Sequence, residues 1–179
     1  MAILCSCLCT AFCLVAVNRR WRVPSSRRKT VIVVGSGPAG IQWGLLLQKT
    51  NLNYVILEKD REAGSFFREF PKNGRLISVN KRAVGEGKSH EYAMRHDWHS
   101  LLGTNVKMTN HSQDLYPLAK DLVSYLKEVS GGLNIRYSVE VHNAVRSNAY
   151  TLLTTNVGNW ICEELILATG YVPKEIPSW

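Results

Sequence analysis

Thr30-Val31-Ile32-Val33-Val34-Gly35-Ser36-Gly37-Pro38-Ala39-Gly40 decides how this chain is read. Its first five residues are all β-branched, which reads as a buried parallel strand. They run directly into the pattern G-x-G-x-x-G. Ile41–Lys49 continues with helical composition, and Ile41, Leu45, Leu46 and Trp43 supply an apolar face. Asn53-Tyr54-Val55-Ile56-Leu57 is a second strand ending at Glu58, 18 residues after the last glycine. A glycine-rich turn alone is a weak signal. Strand, turn, helix, strand and terminal acid together are the context that a dinucleotide-binding βαβ unit requires.

Each part has a mechanism. Gly35 allows the tight turn, Gly37 lets the backbone approach a diphosphate, and Gly40 lets the helix pack on the strand. Ser36, Pro38 and Ala39 fill the loop, whose free N–H groups at the helix N-terminus stabilise the diphosphate. Glu58 accepts both ribose hydroxyls and repels a 2′-phosphate, so the site is expected to hold FAD or NAD and not NADP. The expected fold class is α/β, a Rossmann-like FAD-binding domain built on a parallel sheet with a β-meander insertion, and incomplete.

Outward from this unit the periodicities continue. Leu118, Leu122, Tyr125, Leu126 and Val129 predict an amphipathic helix over 116–129, with Pro117 near its first turn and Gly131-Gly132 stopping it. Leu133–Tyr137 alternates as a strand and leads into Ser138–His142, an extended, half-buried stretch. Tyr150–Thr155 and Trp160–Ile166 form a β-meander, with Asn156-Val157-Gly158-Asn159 as the turn. Leu165-Ile166-Leu167-Ala168-Thr169-Gly170 is an apolar strand ending in Ala-Thr-Gly, followed by Pro173 and Pro177. This ending resembles a second signature of flavoproteins, which implies that Gly170 lets the backbone pass close to the cofactor diphosphate.

Several segments carry a resemblance. Pro38-Ala39 inside G-S-G-P-A-G is similar to FAD-binding flavoproteins. Ala63-Gly64-Ser65-Phe66-Phe67-Arg68-Glu69-Phe70-Pro71 resembles the Gly-Gly-x-Trp…Tyr-Pro segment of class B flavin monooxygenases, but Ala63 replaces a glycine and Phe66 or Phe67 stands where Trp is usual. Gly64–Phe67, Leu76–Arg82 and Arg95–Leu102 together resemble the FAD-dependent oxidoreductase domain-containing protein 2 family across about residues 30–177. That resemblance implies a flavoprotein of the endoplasmic-reticulum lumen acting in degradation of misfolded glycoproteins. Its implied partners are those glycoproteins and degradation-pathway and disulfide-handling proteins, with no nucleic acid. It groups Lys59, Phe66, Arg68, Asn80, Val141, Ala168 and Thr169 with the cofactor site, Val141 touching adenine through its backbone. The residues themselves leave alternatives open. Phe66, Phe67 and Phe70 read as core beneath the loop or as ring contacts to the flavin. Arg68 faces a phosphate or solvent, and Asn80 bonds the flavin edge or caps a turn. His96 and His99 read as a structural cluster more readily than as a metal site, with Asp97 a helix N-cap. Catalytic residues cannot be named from the sequence.

Composition narrows the function classes. The formal charge of +8 is carried mainly by six basic and no acidic residues in positions 1–30, whereas 31–179 hold 16 basic and 14 acidic residues. The basicity therefore reads as targeting and not as nucleic-acid binding. Residues 1–18 are expected to be a signal peptide or a signal-anchor, the apolar run 2–17 being the only membrane contact if uncleaved, and 19–29 a basic linker. Four of the five cysteines lie in this leader. Cys162 reads as a buried strand residue, and without a Cys-x-x-Cys the chain has no dithiol centre of its own. Asn110-His111-Ser112 is a glycosylation sequon. Residues 30–177 contain no second G-x-G-x-x-G, so NAD(P)H binding is assigned to a part not present. The chain reads as the FAD-binding stretch of a longer enzyme, with a class B monooxygenase fragment or a non-catalytic truncated isoform as alternatives.

Overall fold

The computed structural model describes residues 23–76 and 101–170. The leader, Asn80, the His96–His99 cluster with Asp97, and the prolines after Gly170 lie outside the described residues. Among the described residues three helices and six strands follow in chain order: β1 (Arg28–Val34), α1 (Pro38–Leu47), β2 (Tyr54–Leu57), α2 (Phe66–Glu69), α3 (Ala119–Ser130), β3 (Ile135–Arg136), β4 (Val141–Arg146), β5 (Thr151–Thr155) and β6 (Gly158–Leu167).

All six strands form one sheet in the order β3-β2-β1-β6-β5-β4. The first four are mutually parallel, with Val33 opposite Ile56 on one side and Ile166 on the other. β4, β5 and β6 are antiparallel neighbours. The sequence reading separates the meander from the strand that ends in Ala-Thr-Gly. The structure makes them one element. β6 is ten residues long, pairing with β5 through its first half and with β1 along most of its length. The turn before it is tighter than expected, with only Asn156 and Val157 between β5 and β6. Gly158 follows at φ 107°, where a side chain would be strained and would also strike the Arg27 guanidinium.

Two apolar layers cover the sheet. Val31, Val33, Leu47 and Ile56 pack on the helical side. Ile32, Val55, Leu57, Val139, Leu153, Trp160 and Cys162 form a separate cluster that joins β1 and β2 to the meander strands. A third cluster ties α1 to α3 through Ile41, Leu45, Leu122, Tyr125 and Leu126. Cys162 is 1% exposed, as the strand pattern implies.

Two helices differ from the sequence reading in instructive ways. α1 starts at Pro38, whose missing N–H costs nothing at a first helical position. It buries Gly40, Ile41, Gly44, Leu45 and Leu47, while Trp43 and Leu46 face outward. Close packing accompanies that rotation: a Cβ on Gly40 would strike the Gly35 carbonyl, and one on Gly44 would lie 2.8 Å from the side-chain ends of Ile56 and Leu133. α3 begins three residues later than expected. The Asp121 carboxylate reaches back to the Leu118 N–H at 3.1 Å and caps it. Pro117 precedes the cap, and its carbonyl accepts the N–H of Leu76. The strand expected over 133–137 shortens to Ile135–Arg136, because only these pair with β2.

Candidate functional site

The carboxyl ends of β1, β2 and β6 meet the α1 N-terminus, as expected of an open parallel sheet where strand order reverses. Between them lies a cleft of about 720 Å³. One end is lined by Glu58, Lys59, Val139, Glu140 and Val141; the other by Phe66, Phe67 and Phe70; the floor holds Gly35, Gly37 and Ala168.

The two glycine-bearing signatures touch each other. Gly35 sits at φ 101°, and a Cβ there would lie 2.5 Å from the Ala168 carbonyl oxygen. Gly40 packs so closely that a Cβ would fall inside the van der Waals shell of the Gly35 carbonyl. Gly37 is different: nothing lies within 4 Å of where its Cβ would be. Space is kept there at the open N-terminus of α1, as a diphosphate cradle requires.

Glu58 is the most constrained group in the site. It is 5% exposed. Oε2 accepts the main-chain N–H of Ser36 at 2.6 Å and its hydroxyl at 2.8 Å; Oε1 accepts the Asp60 N–H at 2.9 Å. Ser36 is fully buried and does not line the cleft; it holds the acid from behind. An ionised carboxylate offers about four acceptor positions, and three are filled. The fourth position, at Oε1, has no partner among the described residues.

The aromatic alternatives separate. Phe67 is half-buried, packing against the α1–α3 core and also lining the cleft. Phe66 and Phe70 are exposed into the cleft and stacked, with ring centroids 5.1 Å apart and 19° between planes. The Lys72 ammonium lies 4.6 Å from the Phe70 centroid. Arg68 is not among the residues lining the cleft; it pairs with Glu62 and lies 3.7 Å from Asp60. Thr169 and Gly170 line the cleft beside Ala168. Asn110 is exposed at the end of a 3-10 turn, away from it. Among the described residues no group of three His, Cys, Asp or Glu side chains is placed to hold a metal ion, and no helix is long and apolar enough to cross a membrane.

One contribution was missed from sequence. Asn156, read only as a turn residue, bonds the wall of the cleft at Ser138 and Glu140. An Asn opening a hairpin turn is too common to signal this.

The family model for pyridine nucleotide-disulphide oxidoreductases matches residues 32–177. This chain belongs to that family. Among curated relatives it is 37% identical over 154 residues to the FAD-dependent oxidoreductase domain-containing protein 2 of Danio rerio, covering 80% of this chain and 22% of the relative. It is 33% identical over 174 residues to the protein of the same name in Mus musculus, covering 90% and 26%. The relatives thus carry the name of the family that the sequence motifs resemble, and the chain spans about a quarter of their length. Two solved structures share the fold. A flavin-containing monooxygenase from Stenotrophomonas maltophilia superposes with a TM-score of 0.64 at 22% identity, over 82% of this chain and 41% of that one. The bacillithiol disulfide reductase Bdr from Staphylococcus aureus gives 0.64 at 19%, over 81% and 39%. The α/β fold stands on the two solved structures, and the family on the match over residues 32–177 together with the curated relatives.

Proposed function

We propose that this chain binds FAD in the cleft and serves as the cofactor-binding region of a flavin-dependent oxidoreductase. The observation that carries the reading is the buried, triply bonded Glu58 carboxylate sharing one cleft with the open backbone at Gly37 and the exposed Phe66–Phe70 stack. These residues fit an extended dinucleotide with a flat ring at one end. Glu58 takes a ribose hydroxyl. The N–H groups at the start of α1 take the diphosphate. Val34, Leu57, Val139 and Leu167 exclude water from its flanks. Val141 takes the adenine edge through its main chain, and Phe66 and Phe70 flank the ring system. FAD, when bound, supplies two-electron redox chemistry that no side chain here offers. A nicotinamide donor, in this reading, binds outside the described residues.

The test is direct. The purified chain, titrated with FAD, should quench flavin fluorescence with saturation, and Glu58→Lys should abolish it. Saturable binding that is equally strong in Glu58→Lys would overturn the assignment.

The cellular part of the proposal is that the protein works in the lumen of the endoplasmic reticulum, in disposal of misfolded glycoproteins with disulfide-handling partners. It is supported by the apolar–basic leader and by the resemblance of Gly64–Phe67, Leu76–Arg82 and Arg95–Leu102 to that family, together with 37% identity to the Danio rerio relative. Expression in a secretory cell should give a glycosidase-sensitive mobility shift that Asn110→Gln removes. Asn110 is exposed on a turn, so an unmodified Asn110 in a chain confined to the cytosol would count against lumenal residence.

A further inference from the structure

The wall at the adenine end of the cleft is one short bend, Ser138–Val141, and its shape is imposed from outside. Ser138 sits at φ 58°, in the left-handed region that non-glycine residues avoid. On the β2 side the bend is tied down by Ser138 N–H to the Asp60 carbonyl and Val139 N–H to the Glu58 carbonyl, each 2.9 Å. On the other side a single residue holds it. Asn156 donates its main-chain N–H to the Glu140 carbonyl at 3.2 Å and its Nδ2 to the Ser138 carbonyl at 3.1 Å. Its Oδ1 accepts the Glu140 N–H at 2.9 Å. The side-chain amide thus takes the place that a strand neighbour's backbone would occupy.

The consequence falls on the next residue. Both main-chain groups of Glu140 turn toward Asn156. Main-chain direction alternates along an antiparallel strand, so Val141, opposite Thr155, turns its N–H and C=O away from β5. Among the described residues β4 is the edge of the sheet, and Val141 lines the cleft. A donor and an acceptor from one residue are therefore left unpaired by β5 at the cleft wall. Adenine offers the complement, an acceptor at N1 and a donor at its N6 amino group. Hypoxanthine offers the reverse, a donor at N1 and an acceptor at O6.

We propose that Asn156 is a positioning residue for base recognition: its amide fixes Glu140 so that the Val141 main chain selects adenine over hypoxanthine. This rests on the cofactor reading above. Asn156 is exposed and does not itself line the cleft, so it acts through the bend, and truncating it leaves no core cavity.

The experiment uses the full chain with ADP and IDP as probes, by calorimetric titration. The wild type should prefer ADP about tenfold, the scale of one well-placed hydrogen bond gained and one mismatch avoided. Asn156→Ala should lower the preference to about twofold or less, mostly through weaker ADP binding. Asn156→Asp, which keeps an acceptor for the Glu140 N–H, should retain most of it. Val157→Ala, in the same exposed turn, controls for general loosening of the hairpin and should keep the wild-type ratio. A wild-type ADP:IDP ratio in Asn156→Ala, or an equal fall in Val157→Ala, overturns the role of Asn156 while leaving FAD binding intact. A wild type that binds ADP and IDP alike overturns base selection by Val141. A wild type that binds neither overturns the cofactor reading as well.

Discussion

Glu58 lines the cleft while almost wholly removed from solvent, so its position depends on the donors around it. Two of its three bonds come from Ser36, and one of those is a side-chain bond that can be deleted. Ser36→Ala leaves the fingerprint backbone intact but frees Oε2 of one partner. We expect a stability loss of about 1–3 kcal/mol, the cost of leaving a buried acceptor short of a donor. ADP affinity should fall about tenfold as the carboxylate loses its fixed orientation. Titration and urea unfolding of the same preparation read both, and unchanged ADP affinity would show that the Asp60 and Ser36 N–H groups suffice. The sequence pointed to Glu58 as the ribose acid but gave no sign that its oxygens were already engaged, because that depends on Ser36 being turned inward at the end of β1.

A second single-residue effect is a dependence on pH. Burial pushes the Cys162 thiol from about 9 up to about 11; its hydrogen bond to the Ile32 backbone and the charge of Arg146 only partly offset this, and Glu164 adds slightly to the rise. The folded state therefore keeps its thiol proton at a pH where the unfolded chain loses it. The stability is fully present below about 9 and drains away as pH rises toward about 11. The slope approaches about 1.4 kcal/mol per pH unit within that window. Urea melts between those limits should show a steeper decline for the wild type than for Cys162→Ala. Parallel declines would mean that the thiol titrates normally.

At the scale of elements, the glycines of α1 do unequal work. A Cβ on Gly40 would collide with the backbone carbonyl of Gly35, which cannot move without opening the turn. A Cβ on Gly44 would meet only the tips of Ile56 and Leu133, which can rotate aside. Alanine also gains about 1 kcal/mol of helix propensity over glycine. Gly44→Ala should therefore lie within about 1 kcal/mol of wild type, while Gly40→Ala should cost more than about 3 kcal/mol. Comparing their urea midpoints checks the difference, and equal losses would refute the asymmetry. The same packing explains what the sequence did and did not reveal. β1, α1, β2 and α3 were legible because their apolar periods are local. Which way α1 rolls was not, because it depends on Ile56 and Leu133 across the layer. The unity of β6 was hidden for a similar reason. Trp160–Ile166 and Leu165–Ala168 each read as strands, but nothing local says that one strand serves both the meander and the parallel layer.

At the scale of the whole molecule, the cleft is made by segments far apart in the chain: the loop after β1, the end of β2 with the loop after it, the bend before β4, and the end of β6. Gly35 and Ala168 meet only because β1 sits between β2 and β6. That arrangement was partly legible, since two glycine-ended strands with separate diphosphate roles must converge on one ligand. The hydrogen-bonded wall around Asn156 was not, because it arises from a long-range pairing between a turn and a bend. A ligand in this cleft bridges all four segments, so its binding energy must stabilise contacts between them and not one loop alone. By linkage, FAD at about 100 times its dissociation constant adds about 2.7 kcal/mol to global stability. Hydrogen exchange in the full chain should slow on FAD addition in four separate stretches at once: 34–40, 57–66, 138–141 and 167–170. The 3-10 turn at Met108–Asn110, which does not line the cleft, should exchange as before. Protection confined to 34–40 would mean that the ligand sits only on the helix N-terminus, as a free phosphate would, and that the other walls do not contribute to binding.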